Sequence, residues 1–284
     1  MIKYNMDTYQ ILMGGIAVYN SIDYESEELK VIYSVYSHTD DDHLNDFCFD
    51  KYSIMYFTEG CGKCIIEGRE YTVKAGNLIA LHPLAFHRLI PDRDQLLKGY
   101  LICFSSNAVS RGVVDILDKV IGENDYGGRF YPTSSVSDSV ATAIERLEYA
   151  ELLPEPQQTE YIKALLAEIL VFMSIEENEE GACSEDELGA RVVRYLNGNI
   201  ERNISLDKLA KRFFVSKYYL CRAFKKHTGT SVHSYINHKR IMYAKQLIES
   251  GETASGAAYK VGFGDYSAFY RAYVKIVGKS PTSN

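Results

Sequence analysis

The spacing of apolar residues near the carboxyl end of the chain repeats with a period of 48 or 49 residues. In each copy, apolar residues fall at the three- and four-residue intervals of a helix with one buried side. The pairs that keep the period are Leu209-Ala210 with Ala257-Ala258, Leu220 with Phe269, Arg222 with Arg271, Phe224 with Tyr273, and Gly229 with Gly278. The pattern predicts two copies of a short helix, a tight turn and a second helix, which is the helix-turn-helix arrangement.

Residues that begin and end helices stand at the edges of both copies. Ser205, Ser216 and Asp265 precede apolar runs, and their side-chain oxygens can accept hydrogen bonds from the free amides of a first helical turn. Gly229 and Gly278 follow the second helices, where a left-handed residue commonly ends a helix. We expect the helices to have these boundaries.

Polar and aromatic residues occupy the outward side of the second helix in each copy. If Leu220, Phe224, Phe269 and Tyr273 face the core, the outward residues are Lys217, Tyr218, Tyr219, Cys221, Arg222, Lys225 and Lys226 in the first copy, and Tyr266, Ser267, Tyr270 and Arg271 in the second. Arginine can bond bidentately to guanine in the major groove, and lysines near a helix end suit phosphates. We predict that these residues bind DNA; the alternative is that the arginines are merely solvated and the tyrosines cover the core.

One continuous helix is expected between the copies, over residues 233–249, and Gly251 closes it. A helix of that length spans ~26 Å. It can therefore hold two recognition helices about one DNA turn, ~34 Å, apart on one face of the duplex.

The pattern changes to short alternating stretches between residues 29 and 105. The first, residues 29–37, alternates as a strand does, and turn residues such as Glu67-Gly68 and Ala75-Gly76-Asn77 separate the later ones. The later apolar stretches are residues 52–57, 64–66, 71–73, 78–81, 86–90 and 97–104. Many short strands with regular turns predict a barrel or a sandwich.

Helical spacing returns after the strands, in residues 137–153 and 159–175. Residues 176–187 are acidic and lack large apolar side chains, which is typical of a linker. A further helix is expected over residues 188–200. Its inward residues should be Val192, Val193, Leu196 and Ile200.

Charge divides the chain in two. Residues 188–284 contain 17 Lys and Arg against 5 Asp and Glu. The whole chain has 31 against 38, so the first 187 residues hold 14 against 33. A basic carboxyl end on an acidic chain indicates that this end binds nucleic acid.

Several sequence features favour a cytoplasmic protein. Residues 1–10 are polar, so we expect no signal peptide, and no stretch approaches the eighteen uninterrupted apolar residues of a membrane helix. The six cysteines, at 48, 61, 64, 103, 183 and 221, are scattered, which is typical of a reduced protein rather than of a disulfide framework.

Residues 205–281 resemble the DNA-binding domain of the AraC/XylS family of bacterial transcription regulators. The second copy departs from the family where Ala254 and Ala257 replace the usual isoleucines, which makes its apolar face shallower. The matching pieces are Ser-Leu-x-x-Leu-Ala from 205, Ser-x-x-x-Leu-x-Arg-x-Phe-Lys-Lys from 216, Gly229-Thr230-Ser231, Tyr235, Arg240, Val261-Gly262-Phe263 and Gly278-Lys279-Ser280-Pro281. The earlier series Glu59-Gly60, Gly68, Gly76 and Pro83 with His87 is similar to the cupin barrel that precedes this domain in the family.

The resemblance implies an α+β multidomain protein, in which an N-terminal cupin-like β-barrel is followed by an all-α DNA-binding domain with two helix-turn-helix units. It implies a sensor domain over residues 1–133, a helical dimerisation segment over 134–176, an acidic linker over 177–187 and a DNA-binding domain over 188–284. The expected function is sequence-specific transcription regulation, as an activator controlled by a small-molecule effector such as a sugar or another metabolite. The expected effector-binding residues are Tyr56, His82 and His87.

The resemblance also implies partners. These are double-stranded promoter or operator DNA, the effector, a second copy of the chain and RNA polymerase, with no membrane. No enzyme activity, cofactor or metal is expected.

Three alternatives compete with this reading of the barrel. Cys61-Gly-Lys-Cys64 has the spacing of a redox or zinc pair, but it lies in a strand-rich hairpin without a second pair, which favours incidental cysteines. His82 and His87, with His38 and His43, could form the metal site of a cupin enzyme fused to a DNA-binding domain. Catalytic cupins, however, have histidines in their first motif, and residues 59–66 contain none. The third alternative is a ligand-independent regulator whose barrel serves only pairing.

Overall fold

The computed structural model of the chain describes residues 23–38, 46–122, 127–175, 188–202 and 204–282. These residues form a β domain, a helical segment packed against it and a carboxy-terminal domain that contains only helices. The strands are β1 (Asp23–Glu25), β2 (Leu29–Ser37), β3 (Asp46–Cys48), β4 (Tyr52–Glu59), β5 (Cys61–Ile66), β6 (Arg69–Lys74), β7 (Leu78–Leu81), β8 (Phe86–Pro91), β9 (Leu96–Phe104) and β10 (Gly128–Tyr131). The helices are α1 (Arg111–Val114), α2 (Leu117–Ile121), α3 (Asp138–Glu145), α4 (Gln157–Met173), α5 (Leu188–Asn197), α6 (Leu206–Arg212), α7 (Lys217–Thr228), α8 (Val232–Glu249), α9 (Ala254–Lys260) and α10 (Tyr266–Val277).

Two antiparallel sheets make up the β domain. The six-stranded sheet has the order β1-β2-β9-β4-β7-β10, and the four-stranded sheet has the order β3-β8-β5-β6. The longest pairing of the six-stranded sheet joins β2 (Leu29–Ser37) to β9 (Leu96–Phe104) over nine residues. The prediction of a β domain built from short strands is confirmed.

The alternation along β4 explains why the six-stranded sheet is buried on both faces. Ile54 and Tyr56 belong to the core that the sheet shares with helices α1 to α4. Met55 and Phe57, one residue out of step, belong to the core between the two sheets. Since successive strand residues point to opposite faces, one apolar strand serves both cores.

The helical segment differs in detail from the sequence prediction. The helix expected over residues 137–153 is α-helical only to Glu145 and continues as a 3-10 helix, Arg146–Leu152. Helices α1 and α2 and strand β10 were not predicted. They have four or five residues each, too short for a periodic signal, and β10 forms only by pairing with the distant β7.

The carboxy-terminal domain has the predicted helix caps, but the helix expected over residues 188–200 ends earlier, at Asn197. The hydroxyl of Ser205 accepts a hydrogen bond from the amide of Lys208, Ser216 does the same for Tyr219, and Asp265 for Ala268. Gly229 and Gly278 end α7 and α10 at φ angles of +78° and +81°. Both copies share one core with α5 and α8. The residues predicted to face inward, Leu220, Phe224, Phe269 and Tyr273, all belong to this core.

The turns of the two copies can be matched residue by residue. The amide of Phe214 donates to the carbonyl of Lys211, and the amide of Gly262 donates to that of Tyr259, so the two positions are equivalent. The next residues, Val215 and Phe263, also keep this match. Gly264 is therefore the extra residue that changes the period from 48 to 49.

No helix among the described residues is long and apolar enough to cross a membrane. The acidic linker over 177–187 and the candidate ligand His43 lie outside the described residues.

Candidate nucleic-acid interface

The outward side of α7 carries the residues that the sequence predicted for the first unit. Lys217, Tyr218, Tyr219, Arg222, Lys225 and Lys226 are exposed, and Cys221 is half-buried. Leu220 and Phe224 are fully buried below them. The buried pair fixes the rotation of α7 about its axis, so its polar and aromatic side faces solvent.

The second unit repeats this arrangement on α10. Phe269 and Tyr273 are buried. The four residues predicted to face outward, Tyr266, Ser267, Tyr270 and Arg271, are all exposed. Arg222 and Arg271 therefore hold equivalent places on two helices that share one core.

Arg240 fixes the second unit to the connecting helix α8. Its guanidinium donates to the carbonyls of Ile200 at 2.9 Å, Gly262 at 3.0 Å and Arg202 at 2.6 Å. Lysine cannot reproduce this planar set of donors. Gly262 lies in the turn between α9 and α10. The Arg240 side chain therefore helps to set where α10 begins relative to α8.

Four of the five carboxylates of this domain are engaged in ion pairs or a helix cap. Asp207 pairs with Lys217 at 2.9 Å, and this hydrogen bond and the charge of Lys217 lower the pKa of Asp207. Glu252 pairs with Lys260, Glu249 lies 3.4 Å from Lys245, and Asp265 caps α10. The exposed basic residues of α7 and α10 therefore dominate the charge of the surface.

A buried carboxylate of the β domain holds the connecting helix. Glu67 lies in the turn between β5 and β6, and its side chain is 0% exposed. Its Oε1 accepts from the ammonium of Lys239 at 2.5 Å and from the amide of Phe86 at 2.9 Å, and its Oε2 accepts from the hydroxyl of Tyr235. The ring of Phe86 packs on that of Tyr235 with centroids 5.2 Å apart. We call the contact among Glu67, Phe86, Tyr235 and Lys239 the interdomain clamp.

Two more polar contacts extend the boundary around the clamp. Asp50 accepts from Lys245 at 2.5 Å, and its backbone carbonyl accepts from Gln246 at 2.5 Å. Burial lowers the pKa of Lys245, but the carboxylates of Asp50 and Glu249 together raise it more, so the pKa lies above its ordinary value. Arg88 donates to the carbonyl of Gly229, the residue that ends α7, at 3.0 Å. The β domain thus touches α8 along its length and α7 at its end.

Two of the four described non-glycine residues with a positive φ angle lie at the same boundary. Glu67 and Leu84 have φ angles of +47° and +67°, a region that residues other than glycine rarely occupy. Leu84 packs against the core of the carboxy-terminal domain. A Cβ added to Gly68 would lie 2.1 Å from the ring of His227, so only glycine allows this approach of the two domains. Strained residues persist where surrounding contacts fix them, as at a boundary that the fold maintains.

The sequence predicted a turn at Glu67-Gly68 but not its partner. Tyr235 and Lys239 follow Glu67 by 168 and 172 residues, and no local pattern connects positions so far apart. The available signal was a glutamate that precedes the glycine of a hairpin turn in a mostly apolar strand region, which alone does not indicate burial.

The three predicted effector-binding residues are not brought together. Tyr56 is buried in the core that the sheet shares with the helices, and His87 is fully buried elsewhere, beside the ring of Phe49. Burial lowers the pKa of His87 to about 4, although a 3.0 Å hydrogen bond from its Nδ1 to the carbonyl of Ala85 opposes the shift. His82 is half-exposed and bonds through Nε2 to the carbonyl of Gly122 at 2.7 Å.

His82 lies in a cleft of about 580 Å³ between the domains. The polar side chains that line this cleft come from both sides of the boundary: His82 and Asp118 from the β domain, and Asn197 and Lys239 from the carboxy-terminal domain. Asn197 is also 2.7 Å from the hydroxyl of Tyr235, so the cleft adjoins the interdomain clamp.

The paired cysteines have the geometry of ordinary strand residues. Cys61 and Cys64 lie three residues apart in β5 and so point to opposite faces of the sheet. Burial raises the pKa of Cys64, and a hydrogen bond to Asp92 raises that of Cys61, so neither is an activated thiolate. Within the described part of the chain, no group of three or more His, Cys, Asp or Glu side chains is placed to hold a metal ion.

Comparison with known proteins identifies both domains. Residues 30–120 match the model of the AraC-like ligand binding domain, and residues 209–283 match that of a helix-turn-helix domain. The chain is 23% identical to the HTH-type transcriptional activator RhaR of Enterobacter sp. (strain 638) and 24% identical to the HTH-type transcriptional activator RhaS of Salmonella paratyphi A; each match covers 84% of this chain and 85% of the relative. ToxT from Vibrio cholerae O395, in a structure bound to (E)-4-(8-methylnaphthalen-1-yl)but-3-enoic acid, matches with a TM-score of 0.43 at 15% identity, over 90% of this chain and 97% of ToxT.

Proposed function

We propose that the chain, an AraC-family transcription regulator, binds a specific DNA sequence through both helix-turn-helix units under the control of a small-molecule effector. The proposal includes activation of transcription, as in the relatives RhaR and RhaS, which are named transcriptional activators.

The observation that carries the proposal is the matched pair of recognition helices, α7 and α10, on one connecting helix. Arg222 and Arg271 stand at equivalent exposed positions, where a guanidinium can reach guanine in a major groove. Helix α8 has 18 residues, or ~27 Å of length, which suits two recognition helices in successive grooves. The predicted DNA-binding residues on both helices are therefore kept as the proposed interface, with Cys221 at its edge.

Lysines at the end of α7 have a different proposed role. Lys225 and Lys226 are exposed in the last turn, where the helix leaves the groove. A lysine there supplies charge to phosphates and carries no base preference. We assign them to affinity rather than to sequence recognition.

We place effector control at the boundary between the domains. His82, one of the three candidate effector residues, lines a cleft that both domains form beside the interdomain clamp. A ligand that binds there better in one domain arrangement shifts the population toward that arrangement. The polar lining of His82, Asp118, Asn197 and Lys239 suits a small metabolite with several hydroxyl groups, such as a sugar.

A second copy of the chain is the proposed partner of the helical segment over 134–176. Several large apolar side chains are exposed there, which is unusual for a surface without a partner. They are Tyr149, Leu152, Val171 and Ile175. Pairing would place four helix-turn-helix units on one operator and raise affinity without new contacts. RNA polymerase is the further partner that an activator requires.

The test begins with selection of binding sites from a pool of random duplexes by the full chain. Arg222→Ala should then weaken binding to the selected duplex by ~1–3 kcal/mol and relax the preference at one base position. Lys226→Ala should weaken binding to selected and scrambled DNA alike and reduce the salt slope by about one. Arg111→Ala, an exposed arginine of the β domain, is the control that should change neither.

Two results would count against the proposal. If the full chain enriches no sequence, it is not a sequence-specific binder. If Arg222→Ala keeps the full ratio of specific to non-specific binding, α7 does not read bases.

A further inference from the structure

Phe214 is exposed in a way that its own fold does not explain. The residue lies in the turn of the first helix-turn-helix unit, and its side chain is 95% exposed, more than that of any other large apolar residue described. Its φ angle is +56°, a left-handed conformation that is a true outlier for a bulky side chain. The protein thus accepts backbone strain and an unburied aromatic ring at a single position.

The second unit shows what the turn itself requires. Gly262, the equivalent residue, has a φ angle of +89° and the same hydrogen bond to the carbonyl three residues earlier. The turn therefore demands a left-handed residue, for which glycine has no steric cost. A Cβ at Gly262 would lie 2.6 Å from the carbonyl oxygen of Glu201, whereas Phe214 points into open space. The first unit has room for a side chain at this position, and the one it carries is almost fully exposed.

The position of Phe214 links it to the proposed DNA interface. Ser216, two residues later, caps α7, and the amino-terminal end of a recognition helix is the part that reaches base edges. Tyr218 and Tyr219 in the first turn of α7 are exposed as well, so the three rings belong to one end of the helix. Lys211, whose backbone carbonyl accepts the hydrogen bond from the amide of Phe214, has an exposed cationic side chain close to the same turn.

We propose that Phe214 is a specificity-determining residue that contacts the 5-methyl group of a thymine at the edge of the base step read by α7. This inference rests on the proposed DNA binding and names a further contact within it. Duplex DNA is the occupant because Phe214 lies just before α7, between the exposed basic residues Lys211 and Lys217 in the sequence, which match the charge of a phosphate backbone. A phenylalanine ring offers no hydrogen bond, and the thymine methyl is the apolar group that the major groove presents.

The experiment uses the full chain and a duplex selected by it from a random pool. Phe214→Gly removes the ring and keeps the left-handed turn, as Gly262 does, and Phe214→Ala removes the ring but keeps a side chain in that conformation. Both should bind the selected duplex about tenfold more weakly. Phe214→Gly should nevertheless unfold at the same temperature as the native chain or up to about 4 °C higher, because strain is relieved. Leu96→Ser, at an exposed apolar residue of the β domain, is the matched control and should leave binding unchanged.

Uracil in place of single thymines then locates the contact, because it removes only the methyl group. One substitution should weaken binding of the native chain about fourfold, which corresponds to ~0.8 kcal/mol for one buried methyl. The same substitution should have no effect on Phe214→Gly, since the two changes remove one interaction.

The outcomes separate this inference from the proposal on which it rests. If the native chain selects no duplex, the proposed function fails. If a duplex is selected but Phe214→Gly binds it as the native chain does, only the role of Phe214 is refuted. Unchanged DNA binding with reduced transcription would mean that the ring meets a protein partner, which also overturns the inference. Uracil effects that are equal in the native chain and in Phe214→Gly would exclude the methyl contact.

Discussion

Replacing Glu67 with glutamine should separate the two domains energetically while leaving the shape of the clamp almost unchanged. In the native chain, the amide of Phe86 and the ammonium of Lys239 donate to Oε1 of Glu67. The amide oxygen of glutamine can still accept both hydrogen bonds. The negative charge is lost, however, and the Lys239 side chain is only 9% exposed. Removing one partner of a buried ion pair costs about 3–5 kcal/mol, because the remaining charge is uncompensated.

The loss is a large fraction of the stability of an ordinary domain, about 5–15 kcal/mol. We therefore expect the native chain to unfold in one calorimetric transition and Glu67→Gln to unfold in two, the first at lower temperature. Amide hydrogen exchange in α8 should rise in the variant, since the β domain no longer holds this helix. Glu70→Gln, three residues away, is the matched control. Its ion pair with Lys63 at 2.7 Å is about half-exposed, and the change should cost at most about 1 kcal/mol.

A double variant tests whether charge is the cause. Lys239→Met removes the ammonium that Glu67→Gln leaves buried, so the double variant should be more stable than Glu67→Gln alone. A cost of less than about 1 kcal/mol for Glu67→Gln, or strictly additive effects of the two changes, would exclude charge as the cause. Either result would mean that apolar packing around Phe86 and Tyr235 joins the domains and that the carboxylate contributes little.

Three further predictions concern other parts of the chain. Arg240→Lys should lower the free energy of unfolding in urea by about 1–3 kcal/mol, because lysine cannot bond to three carbonyls at once. It should also weaken the DNA protection given by the second helix-turn-helix unit and leave that of the first unchanged. Equal loss at both units would contradict this. The pKa of folded His87 is depressed to about 4, so the stability that its neutral form provides is complete above pH 6.5 and is lost as the pH falls through 4. The loss should be about 3 kcal/mol in the free energy of unfolding. Unfolding curves of His87→Leu across this pH range should not show it. Ile175→Lys should convert a full-chain dimer into a monomer in sedimentation at micromolar concentration, and a variant that still pairs would exclude the exposed end of the helical segment from the dimer contact.

Local patterns were sufficient to predict the carboxy-terminal domain. Ser216, Gly229 and Gly278 act on neighbours within four residues, so their capping roles can be read from sequence, and Leu220 with Phe224 fixes the outward side of α7. The same period also indicated that the second turn has one more residue, which the hydrogen bonds of the structure identify as Gly264. What the spacing could not give was the left-handed conformation of Phe214, because most turns place glycine or asparagine there.

The β domain was predicted less completely because its important contacts are distant in sequence. Glu67 is an ordinary turn residue until Lys239 folds against it, and burial of both depends on the docking of two domains. Likewise, His87 and Tyr56 have the chemistry of a binding site but lie in packed cores, and alternation alone does not say which face of a strand borders a cavity. Only His82 reaches the cleft that both domains form.

The most direct test of the account is a hydroxyl-radical footprint of the full chain on its selected duplex, with Arg222→Ala and Arg271→Ala alongside. We predict that each chain protects two segments about one helical turn, ~10 base pairs, apart on one face of the DNA. Arg222→Ala should weaken one segment and Arg271→Ala the other. A single protected segment for each chain, or a footprint that Arg271→Ala leaves intact, would contradict the claim that both units bind at once.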